Sequence, residues 1–173
     1  MQEDKGWLPF WQGFRVEDLQ IDDQVVRVHL LPSNRASLCC GGCGHPSQGL
    51  HEQVVRRIQD LPMLARTVWL QVRLWRVSCG RCGTRMQQVL WLDRYSRMTR
   101  RLAEAVGQWC AKLPVKHVAQ LFGLHWTTVR EADRRRLQAL VQALPAPQPR
   151  RLVMDEFALH KGHRYASVVL DAD

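Results

Sequence analysis

One feature constrains this chain before any other. It is a duplicated cysteine knuckle, Cys40-Gly41-Gly42-Cys43 followed by Gly44, and Cys79-Gly80-Arg81-Cys82 followed by Gly83. Two residues between the thiols let both sulfurs of a pair address one ion, and the glycines permit the turn that aims backbone amides at them. Two knuckles supply four sulfurs, the donor set of a closed, structural, tetrahedral zinc site on Cys40, Cys43, Cys79 and Cys82. Cys39 in place of Cys40, or His45 in place of a thiol, would break the symmetry of the pair. The chain has six cysteines. Met1 to Lys5 is acidic, no signal-like apolar run follows it, and no stretch of 18 apolar residues occurs. A cytosolic location is expected, where thiols stay reduced and metal binding is favoured over disulfides. Cys110 stands apart and reads as a core residue.

The knuckles are 35 residues apart, so something must bring them together. Val68, Leu70, Val72 and Leu74 alternate with Trp69, Gln71, Arg73 and Trp75, which predicts a strand running into Cys79. Val16–Ile21 and Val25–Leu31, flanking Asp22-Asp23, predict a hairpin. At 173 residues the chain has room for one ordinary domain or for a few very small ones, and a very small module needs a staple of this kind.

Charge is concentrated elsewhere. The net charge is +9, and residues 93–151 hold 12 basic against 4 acidic side chains, nearly all of the excess. A field of that density attracts a polyanion. The same segment reads as helices. Leu102, Ala105, Val106 and Trp109 repeat at helical spacing behind Thr99, a suitable N-cap. After Leu113-Pro114, the apolar positions Val118, Leu121, Phe122, Leu124, Val129 and Ala132 surround Gly123. Ala119 is small where helices cross, and Gly123 can take the positive φ of a tight turn. This spacing resembles a bacterial helix-turn-helix, whose second helix, from about Trp126 to Ala143, enters the major groove. Trp126, Thr127 and Arg130 are the candidate base or sugar contacts, with Arg130 foremost. Lys116, Arg134, Arg135 and Arg136 are the candidate phosphate contacts.

Pro145 to Pro149 reads as a stiff linker. Behind it, residues 151–158 read as a strand ending in the acids Asp155 and Glu156. Lys161-Gly162-His163 reads as a turn, and Tyr165–Leu170 as a second strand stopped at Asp171, a turn residue. Carboxylates on rigid strands are where divalent-metal phosphoryl-transfer sites begin.

Taken in order, the knuckles, Asp60-Leu61-Pro62, the helix-turn-helix, and Asp155-Glu156-Phe157-Ala158 with Lys161 to Tyr165 resemble the insertion-sequence transposases of the ISL3 family from about Cys40 onward. The resemblance implies an α+β multi-module chain. A small β-rich zinc-ribbon module covers 1–92 and an all-α helix-turn-helix covers 93–144. A proline-rich linker and an incomplete ribonuclease-H-like β-hairpin cover 145–173. It also implies an Asp, Asp, Glu triad with magnesium or manganese in a complete catalytic domain, Asp155 being the first carboxylate. Glu156 would face the other side of the strand. The second Asp and the Glu are absent before Asp173, so this polypeptide is expected to be truncated and catalytically incomplete by itself. The implied partner is double-stranded DNA at terminal inverted repeats, with a homodimer allowed for and neither membrane nor small-molecule substrate expected. A zinc-containing helix-turn-helix transcription regulator and a non-functional transposase remnant stay open as alternatives.

Overall fold

The computed structural model describes residues 10–34, 38–146, 148–162 and 164–172. The N-terminal acidic stretch, Pro147 of the linker, His163 of the expected turn and Asp173 lie outside the described residues. The chain divides into two compact units after Arg136.

The first unit is built on a five-stranded sheet. β1 (Phe14–Ile21) and β2 (Val25–Pro32) form the hairpin expected around Asp22-Asp23. β3 (Gly49–Met63) and β4 (Arg66–Cys79) form a longer antiparallel hairpin, and short β5 (Gly83–Met86) turns back along β4. The order is β1-β2-β4-β3, with β2 and β4 parallel. β4 is the expected alternating strand, extended at both ends. β3 has no counterpart in the sequence reading.

Alternation decides which face is apolar. Val26, Val28 and Leu30 of β2, Ile58 of β3, and Val68, Leu70, Val72 and Leu74 of β4 are all buried. Trp11, Phe14, Trp91 and Leu92 complete this cluster. The rings of Phe14 and Trp91 meet edge to face at 5.3 Å, an arrangement that aromatic quadrupoles favour. A separate small cluster of Leu38, Cys40, Val77 and Cys79 surrounds the knuckles.

Three helices follow: α1 (Arg100–Cys110), α2 (Val115–Phe122) and α3 (Trp126–Ala143). Thr99 caps α1, its side chain accepting from the Leu102 amide. Leu102, Val106, Val118, Ala119, Phe122 and Val129 form the helical core, with Leu61, Met98, Cys110 and Ala132 packed on it. The chain is therefore β-rich with three helices, as expected. No helix among the described residues is long and apolar enough to cross a membrane.

The second unit contains an antiparallel hairpin of β6 (Leu152–His160) and β7 (Arg164–Asp171). Two details differ from the sequence reading. β6 continues to His160, so Asp155 and Glu156 lie within the strand, because ladder pairing with β7 carries on through Ala158. Asp171 closes β7 and its carboxylate accepts from the amides of Arg150 and Arg151.

Candidate metal centre and nucleic-acid interface

The sheet assembles the two knuckles. β4 delivers Cys79 and β5 returns past it. The first knuckle is tied to the end of β5 and the residues after it by bonds from the Gly41 amide to the Met86 carbonyl and from the Gln88 amide to the Cys39 carbonyl. Gly44 (φ 72°) and Gly83 (φ 68°) each follow a knuckle in the left-handed region, the turn that those glycines were expected to allow. The Sγ atoms of Cys40, Cys43, Cys79 and Cys82 consequently all lie within 4.8 Å of one another.

The electrostatics suit a cation. Amides of Arg81 and Cys82 hold the Cys79 thiol down at about 6, while the neighbouring Cys43 pushes Cys82 up to about 12. The Gly42 amide donates to Cys40 Sγ at 3.3 Å. Four sulfurs crowded together with amides aimed at them form a cluster that can hold a metal ion such as zinc. Cys39 is outside the cluster, and the His45 ring instead lies 3.1 Å from the Cys43 carbonyl.

The helical segment has the expected turn. Gly123 adopts φ 59°, ψ 37° as the C-cap of α2, reversing the chain before α3. The His125 ring lies 2.7 Å from Thr127 Oγ1 and accepts from the Thr127 amide at the start of α3. Val129 is fully buried. Trp126, Thr127 and Arg130 are exposed on the first turns of α3, and Lys116 is exposed on α2. Among the described residues Arg130 has no carboxylate partner. Glu131 instead binds Arg134 and Arg135 at 2.8 and 3.0 Å, which drives its carboxyl down to about 2. Arg136 pairs with Asp133 and lies over Gly107 of α1, so it packs the helices together.

What the sequence reading gave no role is the junction of sheet and helices. The Asp60 carboxylate is fully buried and accepts from Trp11 Nε1 (2.8 Å), Thr99 Oγ1 (2.6 Å), Arg101 Nε (2.7 Å) and the Leu61 amide (2.8 Å). Burial works to raise its pKa, but the bonds from Arg101, Thr99 and Trp11 outweigh it and leave the pKa lowered. Beside it the Gln59 side chain donates to the Phe122 carbonyl at 2.9 Å, while the Gln59 backbone bonds to Arg97 and Thr99. Asp60-Leu61-Pro62 had drawn notice only as part of a resemblance. No local signal marked its role, because its partners Thr99 and Arg101 lie far along the chain.

Asp155 is exposed on β6. The cysteine cluster is the group of three or more metal-ligating side chains found among the described residues; Asp155 belongs to none.

Residues 87–137 match the family described as the helix-turn-helix domain of transposase family ISL3. The chain is also 42% identical over 167 residues to the transposase for insertion sequence element IS1001 of Bordetella parapertussis, covering 93% of this chain and 40% of that protein. It thus spans about two-fifths of the length of that relative. No solved structure matches it. The domain match falls on the observed helix-turn-helix, and the longer similarity covers 93% of the chain, so the chain belongs to the insertion-sequence transposases of the ISL3 type.

Proposed function

We propose that this chain binds double-stranded DNA sequence-specifically, at the terminal inverted repeats of a mobile element, as the DNA-recognition part of a DDE transposase. One observation carries this reading. α3 begins behind a left-handed glycine turn, and its first turns present Trp126, Thr127 and Arg130 to solvent, with no acid among the described residues occupying Arg130. A helix so placed enters the major groove by its N-terminal turns, and arginine recognises guanine there through two bonds. Lys116, Arg134 and Arg135 flank it for phosphates, with Glu131 restraining the last two. Arg136 serves by fixing α3 on α1.

In functional terms residues 1–92 are the zinc-bearing module, 93–144 read DNA, and 145–173 lead into the catalytic domain. Four thiolates with no open coordination position favour zinc in a structural role. Asp155 would be the first carboxylate of a ribonuclease-H-like core, holding magnesium or manganese only with partners from a complete catalytic domain. Action in the cytoplasm at the nucleoid, with two copies bridging two ends, fits this role.

The test is fluorescence anisotropy at fixed salt with duplexes carrying the element's terminal repeats or a scrambled sequence. The repeats should bind at least ~10³-fold more tightly, and Arg130→Ala should remove most of that preference. Equal affinity for both duplexes would overturn the reading.

A further inference from the structure

A cleft of about 820 Å³ lies within the first unit, between the sheet face that turns away from the apolar core and the turn leading into α3. One wall is Arg57 of β3 and Trp69 of β4, with the Arg57 guanidinium stacked 3.9 Å above the indole. The other wall is Thr127, Thr128 and Arg135 of α3, and Tyr95 and Arg97 stand at its margin. Tyr95 is 79% exposed and holds φ 63°, a conformation rare for a residue with a Cβ.

Its charge is only partly neutralised from within. Elsewhere on the sheet Arg27, Arg73 and Arg76 each have a carboxylate partner. Among the described residues Arg57 and Arg97 have none. Arg97 is also close enough that its charge, after burial, helps to lower the pKa of Arg56. The one acid lining the cleft, Glu131, is occupied by Arg134 and Arg135. Arginines left without acids, in an open groove with hydroxyls and aromatic faces, suit a polyanionic chain better than a small apolar ligand.

Position identifies the polyanion. Thr127 belongs both to the exposed tip of α3 and to the cleft. At about 100° per residue, Arg130 lies about 60° to one side of Thr127 and Thr128 and Arg135 about 80–100° to the other, so Thr127 stands between the exposed tip and the cleft. A helix lodged in a major groove has a sugar–phosphate strand along its flank. We propose that this cleft grips that strand, so that the zinc-module sheet supplies a second DNA-binding wall through Arg57, with Arg97 and Arg135 closing on the same phosphates. The inference rests on the reading of α3 as the groove-binding helix.

The experiment measures anisotropy of the 173-residue protein with a mixed-sequence duplex of about 30 base pairs over a range of salt concentrations. Arg57→Ala and Arg97→Ala should each reduce the slope of log Kobs against log salt by about 0.9, and weaken binding at physiological salt roughly 3- to 10-fold. Arg57→Lys should retain the slope. Arg15→Ala removes the same charge from β1 at the opposite edge of the sheet and should also leave it unchanged. Unchanged thermal melting would establish that the variants are folded. If Arg130→Ala lowers the slope while Arg57→Ala and Arg97→Ala do not, the cleft proposal is overturned and the α3 reading survives. A slope lost equally in Arg15→Ala, or lost in Arg57→Lys, also overturns it. Absence of binding by the unaltered protein would remove both readings.

Discussion

Replacing Asp60 by Asn tests how the DNA-reading helices are held on the sheet. The carboxylate is inaccessible to solvent and accepts from Trp11, Leu61, Thr99 and Arg101, whose side chain is 27% exposed. Asparagine keeps one acceptor, enough for Thr99 and the Leu61 amide, but turns an NH2 toward the donors of Trp11 and Arg101. Hydrogen bonds to charged groups contribute about 1.5–3 kcal/mol each, and breaking a buried pair costs about 3–5 kcal/mol. Arg101 can partly recover solvent, so the lower end applies, about 3 kcal/mol. The assay is urea unfolding followed by tryptophan emission, with Trp11 reporting directly on the site. The pH dependence supplies a second criterion. Because the folded pKa of Asp60 is depressed, its stabilisation is fully present above the ordinary aspartate value of about 3.9, and is lost as pH falls through the folded value. The gap between the native protein and Asp60→Asn should therefore be largest near neutrality and shrink below about pH 4. A gap under about 0.5 kcal/mol at pH 7, or one that does not change with acidification, would refute this account of the junction.

Other expectations follow from single positions. Cys40→Ser and Cys82→Ser should each abolish binding of about one zinc per chain, whereas Cys39→Ser should retain it; elemental analysis of dialysed protein decides. A Cβ at Gly41 would lie 2.7 Å from the Met86 carbonyl oxygen, while one at Gly49 meets nothing within 4 Å. Gly41→Ala should therefore lose roughly 1–3 kcal/mol and Gly49→Ala should be near neutral by thermal melting. Val129→Ala, in the fully buried centre of the helical core, should cost about 2 kcal/mol. Leu121→Ala, at a site 54% exposed, should stay within about 0.5 kcal/mol in the same denaturant series.

The parts legible in sequence were those whose determinants are local. The two knuckles, the β1–β2 hairpin, the alternation of β4, the Thr99 cap and the Gly123 turn each declare themselves within a few residues. β3 does not. Its turn is formed by Leu64 and Ala65, both at positive φ (50° and 61°), where asparagine and glycine would have given a hairpin signal. Pro62 and the charged run of Arg56 and Arg57 further disguise the strand. It is stabilised by pairing with β4 and by the helices docked on its edge, and neither is a local property. Asp60 and Gln59 were silent for the same reason, since their partners Thr99, Arg101 and Phe122 lie far along the chain. The cysteine set was legible because four thiols must converge to hold one ion, while the grouping of Arg57, Trp69, Tyr95 and Arg97 depends on how β3 is folded.

The β3–β4 hairpin links the cysteine cluster to the helix-turn-helix. One end of the hairpin carries Cys79 beside Gly49, and the other end, near the Leu64-Ala65 turn, carries Gln59 and Asp60. Eleven residues of strand separate Gly49 from Asp60, about 36 Å if fully extended, so the cysteine cluster and the Asp60 junction lie at opposite ends of the hairpin. Coupling between them passes along the ladder. Residues 87–98 run beside that ladder, tied at one end where Cys40 bridges Gln87 and at the other where Gln59 bridges Met98. Fixing the knuckles fixes both the strand and the segment that enters α1, while Asp60 locks the far end. On this geometry the cysteine cluster and the helix-turn-helix belong to one compact unit, joined along the β3–β4 ladder.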